Sequence, residues 1–216
     1  WYYQALAYQG LNRNQGAASS LESLLDIEPG LSFARVSLGK IHLENNAFQQ
    51  ARQLFQSALD SDPGSVHAMI GLGDAWLGQD EVDRAVTAFE QAVVADPENA
   101  AARIRLARIL AEEGSMLDQA LMHAQKSREI EPQNPYAMDA LGWAYVQKGD
   151  IDKGLLELEE AARRLSMDPV VNYHLGAAHA LNKDPEKAHQ ALHRALQLSR
   201  DFPGAEEALR LLQQEQ

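Results

Sequence analysis

Cysteine is absent from the 216 residues. This excludes a disulfide framework and any thiolate metal site, and leaves the redox compartment open. Positive charge is scarce: 19 lysines and arginines stand against 31 aspartates and glutamates, a net charge of −12 at pH 7. Such a field repels phosphate backbones and anionic lipid head groups, so generic nucleic-acid binding is disfavoured and only a local basic patch would serve it. No apolar run approaches the roughly 18 residues needed to cross a bilayer. A start methionine and a signal peptide are missing too, since the chain opens on Trp1-Tyr2-Tyr3; it reads as a piece cut from a longer protein. Apolar residues are not scarce. At 45% of the chain they suffice for a substantial core, in one large domain or two small ones.

Prolines mark an internal period. Pro29, Pro63 and Pro97 fall 34 residues apart and Pro132 follows after 35, each closing a similar phrase: LLDIEP, ALDSDP, AVVADP, SREIEP. Upstream of each runs one ladder of small and large apolar residues. It reads Leu38-Gly39, His42, Ala51, Phe55, Ala58, then Leu72-Gly73, Trp76, Ala85, Phe89, Ala92. Next come Leu106-Ala107, Leu110, Ala120, Ala124, Ser127, with one extra residue near Gly114-Ser115-Met116. Two later units keep the ladder and lose the proline: Leu141-Gly142, Tyr145, Gly154, Leu158, Ala161 and Leu175-Gly176, His179, Ala188, Leu192, Ala195. Residues 1–29 are a first unit entered late, with Ala5, Tyr8, Ala17, Leu21 and Leu24 in the same places. Within each unit apolar residues recur at helical steps on both sides of a polar turn such as ENNAF, GQDEV, KGDI or NKDPE. Each unit is therefore a helical hairpin, too short to bury its apolar face alone, so that neighbours must stack.

At these residues the chain resembles the tetratricopeptide repeat family, and the resemblance covers nearly its whole length. It implies an all-α fold: a right-handed superhelical solenoid of about six stacked hairpins, forming one domain over residues 1–216. The hairpins are expected near 1–29, 32–63, 66–97, 100–132, 135–168 and 169–200. Pro203 suits the first turn of a further helix. Its stripe of Ala205, Ala208, Leu209 and Leu212 predicts a capping helix over 203–215.

The phrase GLGDAW at 71–76 imitates the start of a dinucleotide-binding loop. Gly73, however, lies within helical periodicity rather than between a strand and a helix. It shares its column with Gly39, Gly142, Gly176 and the alanines Ala5 and Ala107, where a small side chain lets the two helices of a hairpin approach closely. His189 and His193 have a spacing that zinc accepts, but no third ligand is near in sequence, so an exposed polar face is the better reading. His42 and His179 occupy the column of Trp76 and Tyr145 and are expected to pack half-buried. Asp152, Glu157, Glu159 and Glu160 read as a solvated helix face. No nucleophile is paired with a base. The sequence thus assigns no catalytic residue, no cofactor and no metal.

What remains is a binding surface. In the resembled family the first helices of the hairpins line a groove. The positions that flank the small residue are Tyr2 and Leu6, Val36 and Lys40, Ile70 and Asp74, Ile104 and Arg108, Asp139 and Trp143, Tyr173 and Ala177. Phe33, His67 and Tyr136 stand one turn further out, with Arg105 and His174 beside the row. The candidate peptide groove is accordingly Lys40, Ile70, Asp74, Arg105, Arg108, Tyr136, Asp139, Trp143, Tyr173 and His174. Aromatics and arginines are the residues from which binding hot spots are built. Arg105, Arg108, Tyr136 and Trp143 together suggest a protein or peptide partner with an acidic or carboxylate-bearing segment and an apolar neighbour. The carboxylate clamp of chaperone-binding family members is not matched, since the corresponding places hold Tyr2, Leu6, Ser37, His67 and Gly71. Residues 139–180, with FPGAEEALRLL at 202–212, also resemble the last repeats of bacterial proteins that serve exopolysaccharide synthesis and export. That resemblance implies a scaffold in cell-envelope assembly, periplasmic or beside the membrane. The rival reading is a substrate-selecting module of an enzyme, for instance a transferase, whose catalytic domain lies outside residues 1–216; it leaves a cytoplasmic location open.

Overall fold

The computed structural model describes residues 14–114 and 116–214, and of Gln214 the backbone alone. The expected first helix lies outside them, with Ala5 and Tyr8 of its ladder and Tyr2 and Leu6 of its groove row, as does Ser115. The described residues form helices and no strands: α1 (Asn14–Ile27), α2 (Ser32–Glu44), α3 (Phe48–Ser61), α4 (Val66–Leu77), α5 (Val82–Ala95), α6 (Ala100–Glu113), α7 (Leu117–Ile130), α8 (Pro135–Gln147), α9 (Ile151–Arg164), α10 (Pro169–Leu181), α11 (Pro185–Leu198) and α12 (Ala205–Gln214). Two compact units divide the chain, one ending at Ala102 and the other beginning at Arg103.

Local chemistry sets the boundaries. Asp62, Asp96 and Glu131 each precede a proline, whose ring disfavours the helical conformation in the residue before it. All three leave the helical region, with ψ of 87°, 92° and 77°, and end α3, α5 and α7. Inside each hairpin the chain reverses through one residue in the left-handed region: Asn46, Asp80, Gly114, Gly149 or Lys183. That conformation closes a helix C-terminus, and asparagine and glycine adopt it most readily.

In the first unit α2 packs on α3, α4 on α5, and α3 on α4. Phe55 of α3 is fully buried between two glycine notches. A Cβ on Gly39 of α2 would stand 2.8 Å from its ring, and one on Gly71 of α4 would clash more severely. Phe89 of α5 fills the notch at Gly73 in the same way. The small residue of the Leu-Gly pair therefore receives an aromatic ring from the second helix of the hairpin. Gly71 extends this to the next hairpin. Around Phe55 gather Val36, Ala51, Ala58, Ala68 and Leu72.

In the second unit α8 packs on α9, α10 on α11, α7 on α8, α9 on α10, and α12 on both α10 and α11. Leucine replaces phenylalanine here. A Cβ on Gly142 would stand 2.7 Å from Cγ of Leu158 and 2.9 Å from the backbone oxygen of Gly154, so α8 and α9 approach backbone to backbone. Leu192 meets Gly176 likewise. The terminal helix buries Ala205 and Ala208, whereas Leu209 is 47% exposed. Its inward stripe is corrected to Ala205, Ala208, Leu211 and Leu212, whose steps of three and four keep to one face while Leu209 turns about 100° away from Ala208.

Candidate functional site

In the second unit Trp143 of α8 and Tyr173 of α10, two of the expected groove residues, line a cavity of about 550 Å³. Trp143 and Gln147 of α8, Tyr173 and Ala177 of α10, and Glu207 and Leu211 of α12 line it. Proline at the first position of both α8 and α10 and capping side chains before them fix where these helices begin. Asn134 accepts from the Tyr136 amide, and Asp168 from the amides of Val170 and Val171.

Beneath the cavity lies a buried polar group. The His174 imidazole donates through Nδ1 to Oδ1 of Asp139 at 2.8 Å, with both side chains 1% exposed. Trp143 stacks on the His174 ring, centroids 4.3 Å apart and planes 12° apart, and Tyr173 is tilted against both rings. Two polar atoms there are buried without a hydrogen-bond partner: Oδ2 of Asp139 and the indole Nε1 of Trp143. Such atoms are uncommon in native interiors.

Tyr173 is held from behind. Its ring lies 6.1 Å from that of Phe202 and against Gly204, where any Cβ would collide with it. Gly204 also has φ of +94°, so glycine is required there twice over. Burial first, then the negative charges of Glu207 and Glu112, push the Tyr173 hydroxyl up to about 12, against the opposing charge of Arg210. The phenol therefore stays protonated at neutral pH and remains a donor.

Exposure separates the other expected residues. Asp139, Trp143, Tyr173 and His174 are buried, supporting the cavity more than presenting themselves, while Tyr136 is 40% exposed at the start of α8. Arg105 and Arg108 of α6 are half-buried, and Nε of Arg108 has no hydrogen-bond partner. Lys40 is exposed on α2 in the first unit, and Ile70 and Asp74 are half-buried on α4. Val36 and Ile104, which the pattern placed in the groove row, are core residues. His179 is buried more deeply than expected, His42 is half-buried, and His189 and His193 are exposed with rings stacked 5.8 Å apart. Among the described residues no three histidines, aspartates or glutamates are placed to hold a metal ion, and no helix is long and apolar enough to cross a membrane.

Sequence reasoning missed Phe202, Gly204, Glu207 and Leu211. The only signal was the Phe-Pro-Gly turn before the last helix. It also missed the ion-neutral pair formed where Arg103 donates to Nδ1 of His123 at 3.1 Å. Burial, and next the Arg103 charge, lower the pKa of His123, which leaves that nitrogen free to accept.

Family models described as tetratricopeptide repeat match residues 2–66, 70–135 and 140–206, and a second such model matches 42–93. No curated protein matches the chain. Among solved structures, YrrB, described as "a TPR protein with an unusual peptide-binding site", is 20% identical, with 90% of this chain and 100% of that one covered at a TM-score of 0.60. TTC0263 from Thermus thermophilus is 18% identical over 85% and 100% of the two chains, TM-score 0.69. A repeat protein from Parabacteroides merdae is 14% identical over 99% and 85%, TM-score 0.70. At these identities the likeness is one of fold.

Proposed function

Given that this chain belongs to the tetratricopeptide repeat family, we propose that it is a binding scaffold whose second unit holds a segment of a partner protein in the cavity between α8, α10 and α12. The family fold supports protein–protein interaction, and the description of YrrB as peptide-binding agrees with it. The observation that carries the reading is the cavity walled by the aromatic side chains of Trp143 and Tyr173 together with Leu181 and Leu211. An apolar side chain of the partner would fill the cavity and pack against these rings. A carboxylate on the same segment would be drawn to Arg108 of α6, against the unfavourable net charge of the chain as a whole.

The test uses a library of neutral peptides with one central leucine or phenylalanine, titrated by fluorescence polarisation. Trp143→Phe keeps an aromatic ring beside His174 but removes part of the cavity wall, and should weaken the best binder by about 1 to 2 kcal/mol without lowering the melting temperature by more than a few degrees. A folded Trp143→Phe variant with unchanged affinity for every binder would move the site elsewhere.

The finer reading, that this binding serves assembly of a bacterial exopolysaccharide system at the cell envelope, is supported by the resemblance of residues 139–180 and 202–212 alone. A host lacking the gene should still synthesise polysaccharide but fail to display it. Normal surface polysaccharide would end that reading.

A further inference from the structure

A second cavity, of about 880 Å³, opens between α9, α10 and α11. It lies across α10 from the first: Asn172, Leu175 and His179 face it, while Tyr173, Ala177 and Ala180 face the Trp143 cavity. Its charge is opposite to that of the chain. Arg163, Lys187 and Arg194 line it, with Glu159 as the one carboxylate among the described residues.

Among the described residues, neighbouring acids pair with Arg163 and Lys187 but not with Arg194. Glu160 is shared between Arg163 and Arg164, so one carboxylate serves two guanidinium groups there. Lys187 has Asp184 at 3.1 Å, an exposed pair of little strength. Arg194 is the clearest case: it donates to the thioether sulfur of Met167 at 2.9 Å and pairs with no carboxylate among the described residues. A thioether is a weak acceptor, so this guanidinium is available to a stronger one. His189 and His193 add further ring nitrogens beside it, and the amides of Gln190 and Gln197 complete a polar wall. Among the described residues no tryptophan, tyrosine or phenylalanine lines the cavity. A sugar chain would want such a stacking platform, whereas a peptide carboxylate wants bidentate donors. Met167 at the rim is 67% exposed and offers apolar contact to a side chain beside the acid.

We propose that this face is a second binding site, independent of the Trp143 cavity, for an acidic segment of a partner protein, with Arg194 as its principal anchor. The buried His179 lies at its inner end, with Nε2 at 4.0 Å from Glu159 and Nδ1 without a partner.

Fluorescein-labelled hexaglutamate is the probe, titrated into the full chain at 50 mM and 300 mM salt. Binding should be measurable at low salt and fall at high salt. It should weaken roughly tenfold or more in Arg194→Glu and less in Arg194→Gln. Both substitutions are at an exposed side chain, and unchanged circular dichroism should show that they fold. An oligogalacturonate of equal charge should bind more weakly than the peptide. The proposal is overturned if hexaglutamate does not bind, if the uronate binds better, if folded Arg194→Glu binds as tightly as the parent, or if only Arg108→Ala weakens binding. None of these results bears on the neutral-peptide titration at Trp143, so failure of either site is distinguishable from failure of the other.

Discussion

Helices α2, α3, α4 and α5 in the first unit start without a side-chain cap, whereas α8, α9, α10 and α11 in the second each begin beneath one, from Asn134, Asp150, Asp168 and Asp184. Their interiors differ in the same sense. Ser20 is the one buried polar residue described in the first unit, while His123, Ser127, Asp139, Asn172, His174 and His179 are buried in the second. One repeat pattern has thus been filled in two ways. In the first unit, aromatic rings pressed into glycine notches define which helices meet, by shape alone. In the second, smaller leucines leave backbones close, and hydrogen bonds specify the arrangement. Buried polar groups demand particular partners at particular angles, a requirement that a ring in a notch does not impose. Both cavities argued above as binding sites lie in the second unit, where side chains are held in set orientations.

The largest expected effect breaks the first unit. Phe55→Ala should cost about 3 to 5 kcal/mol, since the ring is fully buried and fills the notches at both Gly39 and Gly71. Gly73→Leu should cost about 1 to 3 kcal/mol by overpacking against Phe89. Chemical denaturation gives both values. A loss below about 1 kcal/mol for Phe55→Ala would show that the ring is not what joins α2 to α4.

Much of this fold was legible because size is periodic. Gly39, Gly73, Gly142 and Gly176 recur in register, and so do the rings or leucines that fill them, so a ladder of small and large residues specifies hairpins without any single decisive motif. The site was less legible. Asp139 and His174 stand 35 apart and carry no signal that they form a pair; only the packing of α8 beside α10 brings them to 2.8 Å. Leu209 looked inward on apolarity alone, and the crossing of α12 over α10 and α11 decided for Leu211. Gly71 looked like part of a phosphate loop, and the ring it receives belongs to the preceding hairpin.

The next effect tests whether polar contacts do in the second unit what rings do in the first. Asp139→Ala leaves the buried His174 Nδ1 without an acceptor and should cost about 1 to 3 kcal/mol. Asp139→Leu combined with His174→Phe removes both polar groups, and should recover most of that stability. If Trp143 is held by the His174 ring alone, the double variant also binds neutral peptide normally. If the Asp139 hydrogen bond sets the ring plane on which Trp143 stacks, the double variant melts like the parent and binds more weakly. A double variant no more stable than Asp139→Ala would instead show that the site cannot repack, and that its polarity is structural.

The smallest effect sharpens the comparison at the helix starts. Asp168 accepts from two amides at once, Val170 N at 2.9 Å and Val171 N at 3.2 Å, and such a cap is typically worth about 1 kcal/mol. Asp168→Ala should therefore destabilise by about that amount and speed hydrogen exchange at the Val170 and Val171 amides, while Asp168→Asn, which keeps an accepting oxygen, should do neither. Ser65 holds the equivalent place before α4 but makes no side-chain cap bond. Ser65→Ala should accordingly change stability by less than about 0.5 kcal/mol. Ser65→Asp has room to improve matters: the carboxylate favours the partial positive charge at the helix start and offers the missing acceptor, so a gain of a few tenths of a kcal/mol is expected. The four variants make a closed comparison. Equal losses for Ser65→Ala and Asp168→Ala would mean that the difference in capping between the units carries no energy, and that the second unit owes its order to the buried polar contacts alone.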